Sequence, residues 1–354
     1  MIYRNINLFI FARIDKKILE NLVDVIKEEN LYFSNIAIVT RNFGEKLIEK
    51  NKISKQFSKT KVYNFYKISN LSDLRSLIVN QRAELILAIG GGSVIDIGKY
   101  ISMETSIPLI SIPTVLSNDG IASPISIIKS NRGYKSLGTT PPIGVIADID
   151  VISYAPDIFL LSGIGDLISN LSAALDWELA HKEIGEKIDV LAKNIAYNSA
   201  INILYAFKTK FYESLKDENL LKDLFYGLIM SAISMIIAKS SRPASGSEHN
   251  ISHALDKICS NQLHGIQVGF ATIFTLYLHK KINLLEDVLM VYKNINFPLN
   301  FNALKISEEK FIKALKLAPN IRERFTVLNT FQSVEILEKM FKEFKKKYLS
   351  TRNT

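Results

Sequence analysis

The chain has 354 residues, 47% of them apolar, and a formal net charge of +9. That length suits about two domains, and that much apolar content excludes a largely disordered chain. The basic surplus, densest at Lys342, Lys345, Lys346, Lys347 and Arg352, comes without aromatic interleaving or a nucleic-acid motif, so it reads as solvated surface and no nucleic-acid partner is expected.

In chain order, the opening MIYRNINLFIFARIDKK lacks the small-residue cleavage site of a secretory signal. Residues 36–40 (IAIVT) and 62–66 read as buried strands, 71–82 as a helix, and 84–89 (ELILAI) as a third strand. Residues 93–103 return to helical spacing, and 108–112 and 143–148 are again strand-like. Alternating helices and continuous apolar strands argue for a parallel sheet covered on both faces. After about residue 155 the spacing is helical throughout, with segments at 166–181, 187–212, 220–240, 248–259 and 268–278. The longest apolar run, 228–238, is interrupted by serine and falls short of the roughly 18 residues of a membrane span, so no membrane insertion is expected. Residues 306–347 are helical, lysine-rich and carry little chemical information. The single cysteine, Cys259, cannot form an internal disulfide, which suits a reducing cytoplasm. The expected architecture is an N-terminal Rossmann-like α/β dinucleotide-binding domain over residues 1–154. An all-helical domain over 155–354 follows, with the active site in the cleft between them.

Two features carry chemistry. ELILAIGGGSVIDIGKY sets three glycines between a buried strand and a helix, where the backbone turns sharply and the helix N-terminus favours a pyrophosphate. The pattern is not GxGxxG, and it serves equally as a tight connection; Ser93 and Asp96 fit an S-x-x-D cap of that helix. The second feature is histidine. Of five in the chain, His249, His253 and His264 fall within sixteen residues. Imidazole is the commonest metal ligand, and a catalytic zinc takes three protein ligands and keeps one position open. Spacing alone pairs His249 with His253, four apart on one helix face, and names no carboxylate ligand. Asp166, in SGIGDLISN, reads as the N-cap of a strong helix.

Five blocks together resemble the archaeal sn-glycerol-1-phosphate dehydrogenases, within the larger group of glycerol dehydrogenase, iron-type alcohol dehydrogenases and dehydroquinate synthase. They are GGGSVIDIGK (90–99), IPTVLSNDGIASP (112–124), PPIGVIADIDVI (141–152), SGIGDLISNLSAALDW (162–177), and SRPASGSEHNISHALD (241–256) with HGIQVG (264–269). The resemblance covers roughly residues 35–285. It implies that Asp166, His249 and His264 bind zinc, with iron or nickel as alternatives, and that His253 faces the substrate. Asp119 would hydrogen-bond the substrate. Gly91, Gly92, Ser93, Val94, Ile95 and Asp96 would line the pyrophosphate site, and Thr114, Ser117 and Ser123 would touch the ribose and nicotinamide side. Arg41, after the strand IAIVT, stands where arginine accepts the 2′-phosphate of NADP, and reads equally as a solvated loop residue. The implied reaction is NADPH- or NADH-dependent reduction of dihydroxyacetone phosphate to sn-glycerol 1-phosphate, an archaeal phospholipid precursor, by a homo-oligomer. The catalytic residues would be Asp119, Asp166 and His253, the last as a proton relay; on charge alone, Arg242 and Lys135 are candidates for the substrate phosphate. The alternatives are a polyol dehydrogenase with no phosphate requirement, or a lyase of the dehydroquinate synthase kind.

Overall fold

Strands that are apolar on both faces pair in parallel and need helices above and below them. A computed structural model describes residues 8, 11–130, 133–259 and 262–349 of the chain, so Arg352 lies outside the described residues. The chain falls into two units, Met1–Pro156 and Asp157–Thr354.

The first unit contains β1 (Phe11–Asp15), β2 (Asn35–Thr40), β3 (Lys59–Asn64), β4 (Leu85–Gly90), β5 (Leu109–Pro113), an antiparallel hairpin of β6 (Ile125–Ser130) and β7 (Gly133–Gly138), and β8 (Gly144–Asp148). Six of these form an all-parallel sheet in the order β1-β8-β5-β4-β2-β3. Helices α1 (Leu22–Glu28), α2 (Asn42–Lys50), α3 (Leu71–Gln81), α4 (Gly92–Thr105) and α5 (Ile149–Ser153) complete the unit. From β2 the chain moves outward to β3, then returns past β2 to β4 and continues the other way to β5. The order therefore reverses between β2 and β4, and a crevice opens beyond the carboxyl ends of strands at such a point.

Two local expectations differ from what forms. β3 ends at Asn64 and Phe65–Lys67 is a 3-10 turn, because Asn64 caps it by accepting from the Tyr66 N–H. The S-x-x-D cap of α4 is not made: Gly91 is the N-cap, which puts Ser93 already inside the helix, and no side chain caps it. β1 and the β6–β7 hairpin, short and partly polar, go beyond the expected strands.

The second unit is helical: α6 (Asp157–Ile184), α7 (Val190–Thr209), α8 (Glu218–Ala238), α9 (Ser247–Ile258), α10 (His264–Leu278), α11 (Ile282–Asn294), α12 (Glu308–Leu317) and α13 (Val334–Phe344). α6 begins nine residues before Asp166, because Ile158–Ile164 carries an apolar helical run; Asp166 is thus interior and caps nothing. α6 and α10 approach at glycine. A Cβ on Gly265 would stand 1.9 Å from the Ser162 carbonyl oxygen, and one on Gly165 would stand 2.3 Å from the Gly265 oxygen. By length and hydropathy α6 and α8 would each suffice to cross a membrane, yet 83% and 67% of their apolar windows are buried inside the protein. Residues 306–347 are not one helix: α12 and α13 are separated by two 3-10 turns, Ala318–Asn320 and Val327–Thr330.

Candidate active site

The turn after β4 combines tight packing with open space. A Cβ on Gly90 would meet Val94 at 2.5 Å, so the first glycine is required by packing; around Gly92 there is nothing within 4 Å. Val94 and Ile95 are buried, and their N–H groups already donate to the Gly91 carbonyl at 2.9 and 3.3 Å. Gly91 and Gly92 are partly exposed and Ser93 is exposed.

Arg41 is the N-cap residue of α2, just past the carboxyl end of β2. Its Nη1 donates to Ser93 Oγ at 3.0 Å, and its guanidinium lies over the Tyr66 ring, 3.7 Å from the centroid. Asp96 pairs with Lys99 at 3.2 Å, and burial pushes its carboxyl above the usual range. The fully buried Lys99 also donates to the carbonyls of Gly120 (2.8 Å), Ser123 (3.2 Å) and Ile125. One ammonium thereby ties α4 to the loop that carries Asp119 and Ser123. Thr114 is buried and its N–H donates to the Gly90 carbonyl at 3.0 Å; Ser117 and Asp119 are partly exposed. The sequence offered no signal for the Lys99 clamp beyond its place in the glycine block.

In the second unit, one ligand atom each from Asp166, His249 and His264 lies within 4.8 Å of the others. Asp166 comes from α6, His249 from the first turn of α9 and His264 from the start of α10. Hydrogen bonds fix both rings. Glu248, wholly buried, accepts from His249 Nδ1 at 2.8 Å, from the Gly246 N–H at 2.6 Å and from Ser172 Oγ at 2.6 Å. Ser252 Oγ donates to Gln267 Oε1 at 2.6 Å, so its contact with His264 Nδ1 at 3.1 Å assigns the proton to that nitrogen. Gln267 Nε2 in turn donates to Asp256 at 3.1 Å. The contacts place a proton on Nδ1 of each ring, and His264 Nε2 is 4.0 Å from Asp166 Oδ1. Two imidazoles, one carboxylate and hydrogen-bonded outer groups suit a divalent metal.

His253 stands apart from this trio, its ring centroid 6.0 Å from that of His264 and 6.4 Å from that of His249. Its Nε2 accepts from Arg322 Nη2, and burial, then Arg322, holds its pKa down at about 3. The imidazole is therefore neutral at physiological pH. Arg242 is buried and held bidentately by Glu186 at 2.8 and 2.7 Å, while Lys135 is exposed on β7. Glu248, Ser172, Ser252, Gln267, Arg322 and Arg324 escaped the sequence reading; only the adjacency of Glu248 to His249 could have pointed to one of them.

Residues 13–156 match the family model described as iron-containing alcohol dehydrogenase. The chain is 39% identical over 267 residues to a glycerol-1-phosphate dehydrogenase, NAD(P)+-linked by name, of Thermococcus sibiricus, covering 74% of each. It is 37% identical over 326 residues to the enzyme of that name from Pyrococcus horikoshii, covering 88% of this chain and 90% of that one. Among solved structures it resembles glycerol dehydrogenase from Schizosaccharomyces pombe, with a TM-score of 0.76 at 17% identity over 99% of this chain and 94% of the other. At that identity the likeness shows the fold. The curated relatives carry the stronger conclusion: this chain belongs to the glycerol-1-phosphate dehydrogenase family.

Proposed function

We propose that the chain reduces dihydroxyacetone phosphate with NAD(P)H and a proton to sn-glycerol 1-phosphate, using zinc held by Asp166, His249 and His264. The observation that carries the metal reading is the trio itself, one ligand atom each of Asp166, His249 and His264 within 4.8 Å of the others, with hydrogen-bonded chains behind both rings. When bound, zinc supplies a Lewis acid for a carbonyl oxygen and the nicotinamide supplies the hydride. The remaining work belongs to the chain. Glu248 and Ser252 hold the two rings in one tautomer, so no reorganisation is needed when the metal enters. His253, neutral and with Nε2 engaged by Arg322, is suited to ordering a substrate hydroxyl or a water through Nδ1–H. It is poorly suited to storing a spare proton, which narrows the relay role expected of it.

For the cofactor, open space at Gly92 and the free approach to Ser93 support pyrophosphate binding at the start of α4. Arg41 supports NADPH: a guanidinium stacked on Tyr66 beside Ser93 is placed to pair with a 2′-phosphate. On the loop that Lys99 fastens, we assign Asp119 to the substrate and Thr114, Ser117 and Ser123 to the ribose and nicotinamide side.

Metal removal tests the reading. Dialysis against a strong chelator should abolish NADPH-dependent reduction of dihydroxyacetone phosphate, and one equivalent of zinc should restore it. Full activity in demonstrably metal-free protein would overturn the assignment.

A further inference from the structure

Arg322 and Arg324 lie beside His253, with Arg242 near Arg324, and of the three only Arg242 has an ion-pair partner among the described residues. Arg242 takes both oxygens of Glu186. Arg322 donates from Nη1 to Ser245 Oγ at 3.1 Å and from Nη2 to His253. Arg324 donates from Nη1 to the Ser245 carbonyl and from Nη2 to Ser241 Oγ at 2.9 Å. These partners of Arg322 and Arg324 are neutral, and neither arginine forms an ion pair among the described residues. The nearby carboxylate of Glu248 is already committed to His249, Gly246 and Ser172. Nη1 of Arg242, on a side chain only 3% exposed, is buried with no hydrogen-bond partner. Burial and then the neighbouring guanidiniums hold Arg324 down at about 10, and burial also lowers Arg322.

Arg322 and Arg324 are partly buried; cations drawn from water without counter-ions are costly, and planar guanidinium forks match the oxygens of a phosphate. We infer that Arg322 and Arg324, backed by Arg242, form an anion clamp that receives the phosphate of a short phosphorylated ketone whose carbonyl lies toward His249 and His264. This rests on the reading of Asp166, His249 and His264 as the reaction centre. His253 neighbours both: its ring is bonded to Arg322 and stands 6.0 Å from the His264 ring. Arg322 and Arg324 come from the irregular segment between the two 3-10 turns that follow α12. That segment lies beyond the region of family resemblance and was expected to carry little chemistry. The clamp replaces Lys135 as the candidate for the phosphate and gives Arg242 a supporting part.

Two measurements on the zinc-loaded full chain test it, with Arg322→Gln and the charge-conserving Arg322→Lys. The first is the affinity for inorganic phosphate by titration calorimetry; the second is the ratio of kcat/KM for dihydroxyacetone phosphate to that for dihydroxyacetone. Arg322→Gln is expected to weaken phosphate binding and to lower the ratio, each by roughly 10- to 100-fold, with Arg322→Lys in between. Unchanged phosphate affinity and an unchanged ratio in both variants would overturn the clamp. Wild-type protein that binds inorganic phosphate through Arg322 but does not reduce dihydroxyacetone phosphate would leave the clamp standing and sink the proposed reaction instead.

Discussion

Glu248 has no exposed surface, and its two oxygens accept from a ring nitrogen, a backbone N–H and a hydroxyl. A buried carboxylate so used holds the His249 ring in place and raises its basicity, and losing such a partner costs about 10–100-fold in metal affinity. Glu248→Gln should therefore bind zinc about 10–100-fold more weakly in chelator competition, with an unchanged fold by circular dichroism; wild-type affinity would refute the role. At Arg41 the contacts with Ser93 and Tyr66 give a second expectation: Arg41→Ala should lower the NADPH-to-NADH ratio of kcat/KM by roughly tenfold, as loss of a charge-assisted phosphate contact does. An unchanged ratio would return Arg41 to the solvated loop. At this scale the sequence located chemistry without resolving it. Three clustered histidines marked a site, but helical spacing paired His249 with His253, whereas the rings that lie closest are those of His249 and His264, at 4.8 Å. The deciding contacts come from residues many positions away, such as Ser172 on Glu248 and Arg322 on His253, and no local pattern contains them.

Helix α10 can lie against α6 only because Gly165 and Gly265 lack side chains at the contact. Gly265→Ala forces its Cβ into the Ser162 carbonyl, so it should destabilise the protein by about 1–3 kcal/mol, as overpacking does, and lower its Tm. Because His264 is the adjacent residue, zinc affinity should fall with it; an unchanged Tm would mean the helices separate without cost. Elements built from continuous apolar runs were legible, and β2, β4, β5 and β8 lie where such runs occur. The polar stretches were not. β1 pairs along one edge of the sheet, and β6 and β7 pair only with each other, so neither carries the unbroken apolar pattern of a central strand. α6 shows the opposite difficulty: it is buried on nearly every side, so helical periodicity does not mark its start, and the helix-opening aspartate is Asp157 instead of Asp166.

For the whole molecule, partly buried histidines held below their ordinary pKa link stability to pH. His253 titrates near 3 in the folded chain and near 6.5 when unfolded, and burial also holds His264 well below its ordinary value. The unfolded chain therefore takes up protons first as pH falls. Stability is fully present above about 6.5 and declines below it, by up to about 1.4 kcal/mol per pH unit for each such group. Metal-free protein should accordingly lose Tm between pH 7.5 and 5, and His253→Gln should flatten that dependence; parallel curves for the two proteins would exclude the linkage. Division into a parallel-sheet unit and a helical unit follows from the change of texture near residue 155, and the units meet between Pro156 and Asp157. The arginine-bearing segment was opaque because its contacts lie in distant parts of the helical unit, at Ser241, Ser245 and His253.

The central claim is the reaction itself, and product analysis tests it most directly. Purified, zinc-loaded protein should oxidise NADPH in the presence of dihydroxyacetone phosphate, and an enantiomer-specific assay of the product should find sn-glycerol 1-phosphate. Formation of sn-glycerol 3-phosphate, or turnover of dihydroxyacetone with none of its phosphate, would contradict it.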